Sequence, residues 1–299
     1  MNDFNISDVP ISASDIPNIP ISAIDTFSGI GGMHLGLSLI SDLFPRLKLN
    51  TKLFIEIDTS AQKVLRSHFP KIPIYPDIRT YHPNKNHPNE KCQLLIGTPP
   101  CTGTSLAGKK NGLNHPESAL FWELLRIADE CRPDFILIEQ PEGAIHTALR
   151  TMLGGFRVAG YKSQATLISA SELGAPHRRL RLFIIAYSHE VAKIIGQRRK
   201  SWAKQVRDDV QAVKSLAEDA KNESSSLPMD DVVPSWLGGV GFARRAWGFP
   251  PLESGVPKNS PRRVDCINLY GQSVCPLQAA VAGMEMLRLM EMYYLQEKQ

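Results

Sequence analysis

The feature that most constrains this chain is an alternation, from residue 21 onward, of short apolar runs with longer amphipathic segments. The apolar runs that predict strands are ISAIDTF (21–27), KLFIEID (52–58), CQLLIGT (92–98), DFILIEQ (134–140) and LRLFIIAYS (180–188). Segments with helical spacing lie between them at 33–43, 60–68 and 118–130. Strands that are apolar on both faces need helices on both sides. The pattern therefore predicts a doubly wound α/β domain with a mostly parallel sheet.

Composition and charge exclude several classes of protein. Of the 299 residues, 42% are hydrophobic, and the formal net charge of +4 permits a polyanionic partner without requiring one. No stretch approaches the ~20 apolar residues that cross a bilayer, and the start of the chain lacks signal-peptide features. We expect a cytoplasmic protein that does not associate with a membrane. The five cysteines include no CxxC pair, which argues against a disulfide framework and against a metal site.

Two interruptions of the alternation divide the chain. Residues 1–20 carry several prolines among serines and aspartates, which predicts a loosely attached N-terminal arm. Residues 21–187 form the predicted α/β domain. The pattern fails over 188–257, which is highly charged and then rich in glycine and aromatic residues, so we interpret it as a small insertion. The chain returns to the first domain over 258–299 through an apolar helix at 277–294.

Ligands of such sheets bind beyond the carboxyl ends of the strands. The first strand runs into DTFSGIGGMHLG, where Gly29, Gly31 and Gly32 allow a tight turn against a ligand. A plain strand-to-helix turn explains these glycines equally well, and His34 breaks the dinucleotide fingerprint GxGxxG. The second strand ends near Glu56, a candidate acceptor for ribose hydroxyls. Asp77 and Ile78 follow a short third strand that lies between the runs at 52–58 and 92–98, and together these residues predict an adenosine site.

The fourth strand leads into GTPPCTGTS, in which two prolines hold the backbone extended before Cys101. A lone cysteine is more often a small buried apolar residue than a nucleophile. Here the next strand ends with Glu139, and Arg179 and Arg181 lead into another. A thiol, a carboxylate and two guanidiniums at one edge of a sheet are more than packing requires, so we interpret this edge as a catalytic site.

The ordered motifs of the chain resemble those of the DNA cytosine-5 methyltransferases, and the resemblance extends from residue 21 to about residue 292. The matching segments, in order, are DTFSGIGG, TPPCTGTS, LFWELLRI, EQP, APHRRLR and RVDCINLYGQSVCP. Any one of them can arise by chance, but the ordered set is highly specific. The resemblance implies a Rossmann-like S-adenosylmethionine-dependent methyltransferase fold with a small inserted target-recognition domain, which we assign to residues 188–257.

The resemblance also implies a mechanism. Cys101 would add to C6 of a cytosine that has been flipped out of the duplex, which makes C5 nucleophilic toward the methyl group. Glu139 would contact ring nitrogen 3 and would need to be protonated or to share a proton. Arg179 and Arg181 would favour the thiolate. The methyl donor would be S-adenosylmethionine, the product S-adenosylhomocysteine, and no metal would take part.

Further residues are assigned to binding by their match to the family motifs. The predicted cofactor-binding residues are Asp25, Phe27, Ser28, Gly29, Gly31, Gly32, Glu56, Ile57, Asp77, Ile78, Pro100, Leu120, Gln272, Ser273 and Val274. The predicted DNA-binding residues are Ser105, Lys109, Arg244 and Arg245. Arginines among aromatic residues can read guanine edges. The expected partner is double-stranded DNA, the expected state is a monomer, and any cognate restriction endonuclease would act separately.

Three departures from the family pattern leave other functions open. Gln140-Pro141 stands where Asn-Val is usual after the glutamate, His177 replaces a glutamine, and Gln272 replaces an asparagine. One alternative is a methyltransferase for transfer RNA, although the usual CFT signature of that branch is missing. The other is a nucleic-acid-binding protein that has lost catalysis, which the intact Cys101 and Glu139 argue against.

Overall fold

A computed structural model describes residues 18–86, 91–100, 118–175, 178–196, 202–223 and 273–296. Its centre is a seven-stranded sheet. The strands are β1 (Ile19–Thr26), β2 (Leu47–Ile55), β3 (Ile74–Tyr75), β4 (Leu94–Gly97), β5 (Phe135–Pro141), β6 (Tyr161–Ser169) and β7 (Leu180–Ser188). Their order across the sheet is β3-β2-β1-β4-β5-β7-β6. All neighbours are parallel except β7, which runs antiparallel to both β5 and β6.

Helices cover both faces of the sheet, as the sequence predicts. The described helices are α1 (Gly32–Leu39), α2 (Thr59–His68), α3 (Pro83–Asn86), α4 (Phe121–Cys131), α5 (Ala144–Thr147), α6 (Leu149–Val158), α7 (His189–Ile195), α8 (Trp202–Glu223) and α9 (Pro276–Gln296). Short 3-10 turns lie at Ser41–Leu43, Ile78–Thr80, Ser118–Leu120 and Ser171–Leu173. Over the described ranges, no helix is both long enough and apolar enough to span a membrane.

Strand β5 shows why the sheet needs two helical layers. Phe135 and Leu137 belong to the core cluster under α1, α8 and α9, whereas Ile136 and Ile138 belong to the cluster under α4 and α6. All four side chains are fully buried. Burying each one stabilises the fold by roughly 1.5–3 kcal/mol relative to exposure, so both layers contribute. The doubly covered, mostly parallel sheet is therefore confirmed.

The predicted strands and helices are found, with two differences. Strand β2 begins at Leu47, five residues before the predicted run at 52–58, because its first half alternates apolar and polar residues. Strand β6 was missed because its sequence, YKSQATLIS, contains few apolar residues. It lies at the edge of the sheet, where one face is partly exposed, so a continuous apolar run is not required.

The segment that follows β7 packs on the catalytic sheet at first. Helix α8 lies against α9 and β6, with Trp202 buried on its inner face. Asp209 of α8 forms an ion pair with Arg288 of α9, at 2.6 Å. Residues 224–272, which include about half of the predicted insertion at 188–257, lie outside the described residues. The boundaries of the insertion therefore stay a prediction.

Candidate active site

The turn after β1 has the backbone that its glycines predict. Gly29 and Gly31 have φ of 54° and 89°, in the left-handed region that favours glycine. A Cβ on Gly31 would lie 2.7 Å from the ring of Phe69, whereas no atom of the described residues would lie within 4 Å of a Cβ on Gly29. Phe27, which has a side chain, also has a positive φ of 54°. The turn is therefore held in an unusual conformation beside room for a ligand.

Glu56, at the end of β2, fastens this turn. Its Oε2 accepts a hydrogen bond from the amide of Gly29 at 2.7 Å, and its Oε1 accepts one from the amide of Asp58, also at 2.7 Å. The side chain is buried, and burial raises the pKa of the carboxyl, although the backbone hydrogen bonds oppose the rise. Each carboxylate oxygen can accept a second hydrogen bond, so Glu56 keeps the acceptor capacity that the predicted contact with ribose hydroxyls requires.

Asp25, near the end of β1, is fully buried, and neither carboxyl oxygen has a hydrogen-bond partner among the described residues. Burial raises the pKa of this carboxyl to about 8, although the nearby Ser28 hydroxyl acts in the opposite direction. A buried acid without a partner is unfavourable unless a ligand supplies one. Beside an open glycine turn, Asp25 fits a ligand with a positive charge, as S-adenosylmethionine has.

The segment before α9 returns to the turn after β1, more than two hundred residues away in sequence. A Cβ on Gly32 would lie 2.3 Å from the carbonyl oxygen of Val274 and 3.0 Å from the hydroxyl oxygen of Ser273. Only a glycine lets the start of α1 approach so closely. Arg179 also donates from Nη2 to the carbonyl of Ser273. Ser273 and Val274 therefore lie at the predicted cofactor site, while Gln272 lies outside the described residues.

The remaining predicted cofactor residues lie along the same edge of the sheet. Asp77 is partly exposed and pairs with Arg79 at 2.7 Å, an interaction that lowers the pKa of the Asp77 carboxyl. Ile78 begins the adjacent 3-10 turn and is buried, whereas Ile57 is 62% exposed. An isoleucine so exposed at a strand end provides an apolar surface for a planar ligand. Pro100 and Leu120 are half-buried.

The segment that leads from β4 to Cys101 is held from two sides. The Thr98 hydroxyl donates to the carbonyl of Phe27 at 2.6 Å, which ties the segment to the glycine turn. Gln140 donates from Nε2 to the carbonyl of Pro99 at 2.7 Å, which ties it to the end of β5. The sequence marked Gln140 only as a departure from the family pattern and did not reveal this contact. Cys101 itself lies outside the described residues.

Glu139 and the two arginines come together because β7 is antiparallel to β5. The start of β7 lies beside the end of β5, with Arg181 opposite Pro141. Arg181 Nε lies 2.9 Å from Glu139 Oε1. Burial raises the pKa of the Glu139 carboxyl, and Arg181 and then Arg179 oppose that rise. Arg179 adopts a positive φ of 32°, an uncommon backbone conformation for this residue type.

Several predicted residues cannot be placed. Those that fall outside the described part of the chain are Cys101, Ser105, Lys109, His177, Arg244, Arg245 and Gln272. Within the described part, no three histidine, cysteine, aspartate or glutamate side chains are arranged to hold a metal ion. Two contributors were missed by the sequence reasoning, Thr98 and Gln140, because their contacts join strands that are distant in sequence.

The fold resembles that of solved methyltransferases. A putative DNA modification methyltransferase encoded within an E. coli prophage aligns over 90% of this chain and 99% of its own, with a TM-score of 0.55 and 17% identity. The Dnmt2 methyltransferase of S. pombe aligns over 91% and 98%, with a TM-score of 0.55 and 18% identity. Such identities show the fold alone. Together with the sheet order, they show a Rossmann-like methyltransferase fold.

Sequence comparison gives a narrower result. The type II methyltransferase M.CviJI of Paramecium bursaria Chlorella virus IL3A is 31% identical over 164 residues, which are 54% of this chain and 42% of that protein. M.AquIA of Picosynechococcus sp. is 30% identical over 181 residues, which are 54% of this chain and 70% of that protein. This chain thus spans less than half the length of the viral relative. The family model of the C-5 cytosine-specific DNA methylases matches residues 21–235, and the chain belongs to that family.

Proposed function

We propose that this chain transfers a methyl group from S-adenosylmethionine to C5 of a cytosine in double-stranded DNA, within one short target sequence. The observation that carries the proposal is the ion pair between Glu139 and Arg181. It lies at the end of β5, beside the Gln140–Pro99 contact that holds the approach to Cys101. A buried acid next to a segment that ends in a cysteine suits addition of a thiolate to a pyrimidine. Membership of the family supports DNA as the substrate.

The methyl donor would bind along the ends of β1, β2 and β3. Asp25 would face its positive charge, Glu56 would accept from the ribose hydroxyls, and Asp77 would accept from the adenine. The other assigned residues are Phe27, Ser28, Gly29, Gly31, Gly32, Ile57, Ile78, Pro100, Leu120, Gln272, Ser273 and Val274. When bound, S-adenosylmethionine supplies the methyl group and leaves as S-adenosylhomocysteine. The orphaned Asp25 carboxyl and the open space at Gly29 support this assignment.

Cys101 would act as the nucleophile. Its thiolate would form a bond to C6 of the cytosine, so that the ring electrons become available at C5. After methylation, water would remove the C5 proton and the S–C6 bond would break, which returns the thiolate. The guanidiniums of Arg179 and Arg181 would supply the cationic surroundings that favour a thiolate over a thiol.

Glu139 would act on the opposite side of the ring, at nitrogen 3. Negative charge grows there as the thiolate adds to C6, and a protonated carboxyl can donate to it. Burial favours that protonated form, since it raises the pKa of Glu139. Arg181 pairs with Oε1 of Glu139, so we place the proton on Oε2.

Recognition of the target would come from the segment outside the described residues. Arg244 and Arg245 are proposed to contact DNA there, and Ser105 and Lys109 to contact it from the cysteine loop. Because α8 packs on the catalytic core, we place the recognition residues after it, within 224–257. Reading a duplex with a flipped base requires groups that fill the gap, and the aromatic side chains of this segment suit that role.

The proposal is tested by sequencing 5-methylcytosine in DNA from a methylation-free host that expresses the chain. Wild-type protein should place 5-methylcytosine in one recurrent short motif. The matched control is Cys101→Ser, which should lose all methylation while its affinity for S-adenosylhomocysteine stays within about twofold, because a thiol-to-hydroxyl change removes the nucleophile and little volume.

Two results would contradict the proposal. One is soluble wild-type protein that binds S-adenosylhomocysteine and DNA but leaves the DNA unmethylated. The other is transfer of labelled methyl groups to transfer RNA and not to duplex DNA. Equal loss of methyl-donor binding in Cys101→Ser would show that Cys101 supports the fold and would remove its assignment as the nucleophile.

A further inference from the structure

The motif LFWELLRI, at 120–127, matches the family but has no part in the chemistry described above. It covers the start of α4, whose apolar residues pack against the sheet. Packing does not explain its two charged residues, Glu123 and Arg126. The contacts of Arg126 identify what they do.

Arg126 reaches from α4 to the turn that carries the predicted adenine contacts. Its Nη2 donates to the carbonyl of Ile78 at 2.8 Å and to the carbonyl of Tyr81 at 2.9 Å. These two residues bracket the 3-10 turn Ile78–Thr80, and both are buried. One guanidinium nitrogen therefore donates to carbonyls at both ends of this turn.

The guanidinium is itself held in one orientation. Its Nε donates to Glu123 Oε2 at 2.8 Å, and its Nη1 donates to Glu130 Oε1 at 2.6 Å. His82, just after the turn, also approaches Glu130, with 3.0 Å between Nδ1 and Oε1. Only the planar fork of an arginine can serve two carboxylates and two carbonyls at once, whereas a lysine offers a single ammonium.

We propose that Arg126 is a positioning residue: it holds the turn after β3 in the position in which Asp77 and Ile78 contact the adenine of the methyl donor. This inference rests on the proposed function, since it assumes an adenosine ligand at that turn. It assigns a role to the charged pair of the motif: Arg126 braces the turn, and Glu123 orients Arg126.

The test measures ligand affinity by calorimetry, so it does not depend on methylation. The ligands are S-adenosylhomocysteine and S-inosylhomocysteine, in which an oxygen replaces the adenine amino group. Wild type should prefer the adenosyl ligand by about tenfold or more, because a carboxylate cannot donate to that oxygen. Arg126→Gln should weaken binding of the adenosyl ligand about tenfold and should narrow the preference, as expected when charge-assisted hydrogen bonds that place the turn are lost.

The matched control is Arg132→Gln at the end of the same helix, where the arginine is 64% exposed and pairs with Asp129. It should leave both affinities unchanged. With saturating methyl donor, Arg126→Gln should methylate DNA at the wild-type kcat, and only the KM for the donor should rise. A general loss of folding would instead lower the apparent kcat and leave the KM for the donor unchanged.

If Arg126→Gln fails to fold, Arg126→Lys gives the same test, because it keeps the charge near Glu123 and Glu130 but cannot serve both carbonyls. Folded Arg126 variants with wild-type affinity, or with weakened affinity and an unchanged base preference, would overturn the inference. Wild-type protein that binds neither ligand would instead contradict the proposed function.

Discussion

Two buried glutamates, one at each end of the candidate site, differ in what holds them. Glu56, directly after β2, and Glu139, on β5, are each 8% exposed, and burial raises the pKa of both carboxyls. Glu56 accepts hydrogen bonds from two neutral backbone amides, whereas Glu139 pairs with the guanidinium of Arg181. Equal burial of the same side chain therefore does not imply the same role.

The difference lies in what each partner can do during a reaction. Backbone amides cannot change their charge, so they hold Glu56 as a fixed acceptor that shapes the glycine turn. A guanidinium stabilises the ionised carboxylate, while burial favours the protonated carboxyl, so the charged partner and the burial of Glu139 act on its pKa in opposite directions. We therefore expect substitutions at Glu56 to affect binding and substitutions at Glu139 to affect chemistry.

The largest expected effect is at Glu139. Glu139→Gln keeps the shape of the side chain but cannot pass a proton to the base, so methylation should slow by roughly 10²–10⁴, the scale of a positioned acid. Affinity for S-adenosylhomocysteine should not change. Single-turnover methylation and calorimetry measure the two quantities separately.

The control for this substitution is Glu142→Gln, a nearby and more exposed glutamate whose contact with Arg178 is long, at 3.4 Å. It should retain the wild-type rate. A rate for Glu139→Gln within threefold of wild type would remove Glu139 from the mechanism and would break the contrast between the two glutamates.

A smaller effect is expected at Glu56, and it should be on ligand binding and not on the rate of methylation. Glu56→Gln replaces one carboxylate oxygen with an NH2 group, which cannot accept a hydrogen bond. The backbone N–H of either Gly29 or Asp58 is then left without its acceptor. We expect affinity for S-adenosylhomocysteine to fall about 30-fold, on the order of 2 kcal/mol, while kcat at saturating methyl donor is retained. Calorimetry with steady-state kinetics measures both. A lower kcat with unchanged affinity would reverse the contrast.

Asp25 sharpens the comparison because it has no partner of either kind among the described residues. Burial raises the pKa of its carboxyl from 3.8 to about 8 in the folded protein. Between those values the folded state binds the proton more tightly than the unfolded state, so stability falls as pH rises, and the loss is complete above the folded pKa. Asp25→Asn has no carboxyl to ionise and should not show this loss.

Thermal unfolding of the ligand-free protein measures the effect. Relative to wild type, Asp25→Asn should gain roughly 5 kcal/mol of stability between pH 4 and pH 9, because the shift is about four pKa units at about 1.4 kcal/mol each. The difference in Tm between the variant and the wild type should therefore rise by roughly 10 °C or more. Asp42→Asn, on the exposed turn Ser41–Leu43, is the matched control for removal of a carboxylate. If the Tm of Asp25→Asn differed from that of the wild type by the same amount at pH 4 and at pH 9, Asp25 would have a partner in solution.

Much of the fold was predictable because its signals are local. The runs at 134–140 and 180–188 are continuous and apolar, and both became central strands. Strand β6 was not predictable in this way, because an edge strand can be polar on one face. Helix α8 lies in the highly charged segment that was interpreted as part of an insertion, but Trp202 and Asp209 are buried against the core.

The candidate site was predictable as a set of residues but not as a set of contacts. The positions of Glu56 and Glu139 followed from the rule that ligands bind at the carboxyl ends of strands. Arg181 lies at the start of its strand and reaches the same edge only because β7 is antiparallel to β5. The partners did not follow, because Gln140 on Pro99 and Arg126 on Ile78 join segments that lie 41 and 48 residues apart. Gln140 was marked as a departure from the family, and its contact explains how the longer amide is used.

The sequence by itself determined the class of sheet, the order of the motifs and the family, because periodicity and contiguous motifs are properties of neighbouring residues. Only the tertiary structure decided which side chains meet. The antiparallel β7 brings Arg181 to Glu139, and the return of the chain before α9 brings Val274 against Gly32. Such contacts depend on how strands and helices pack across the whole sheet, and short-range sequence patterns carry no record of that packing.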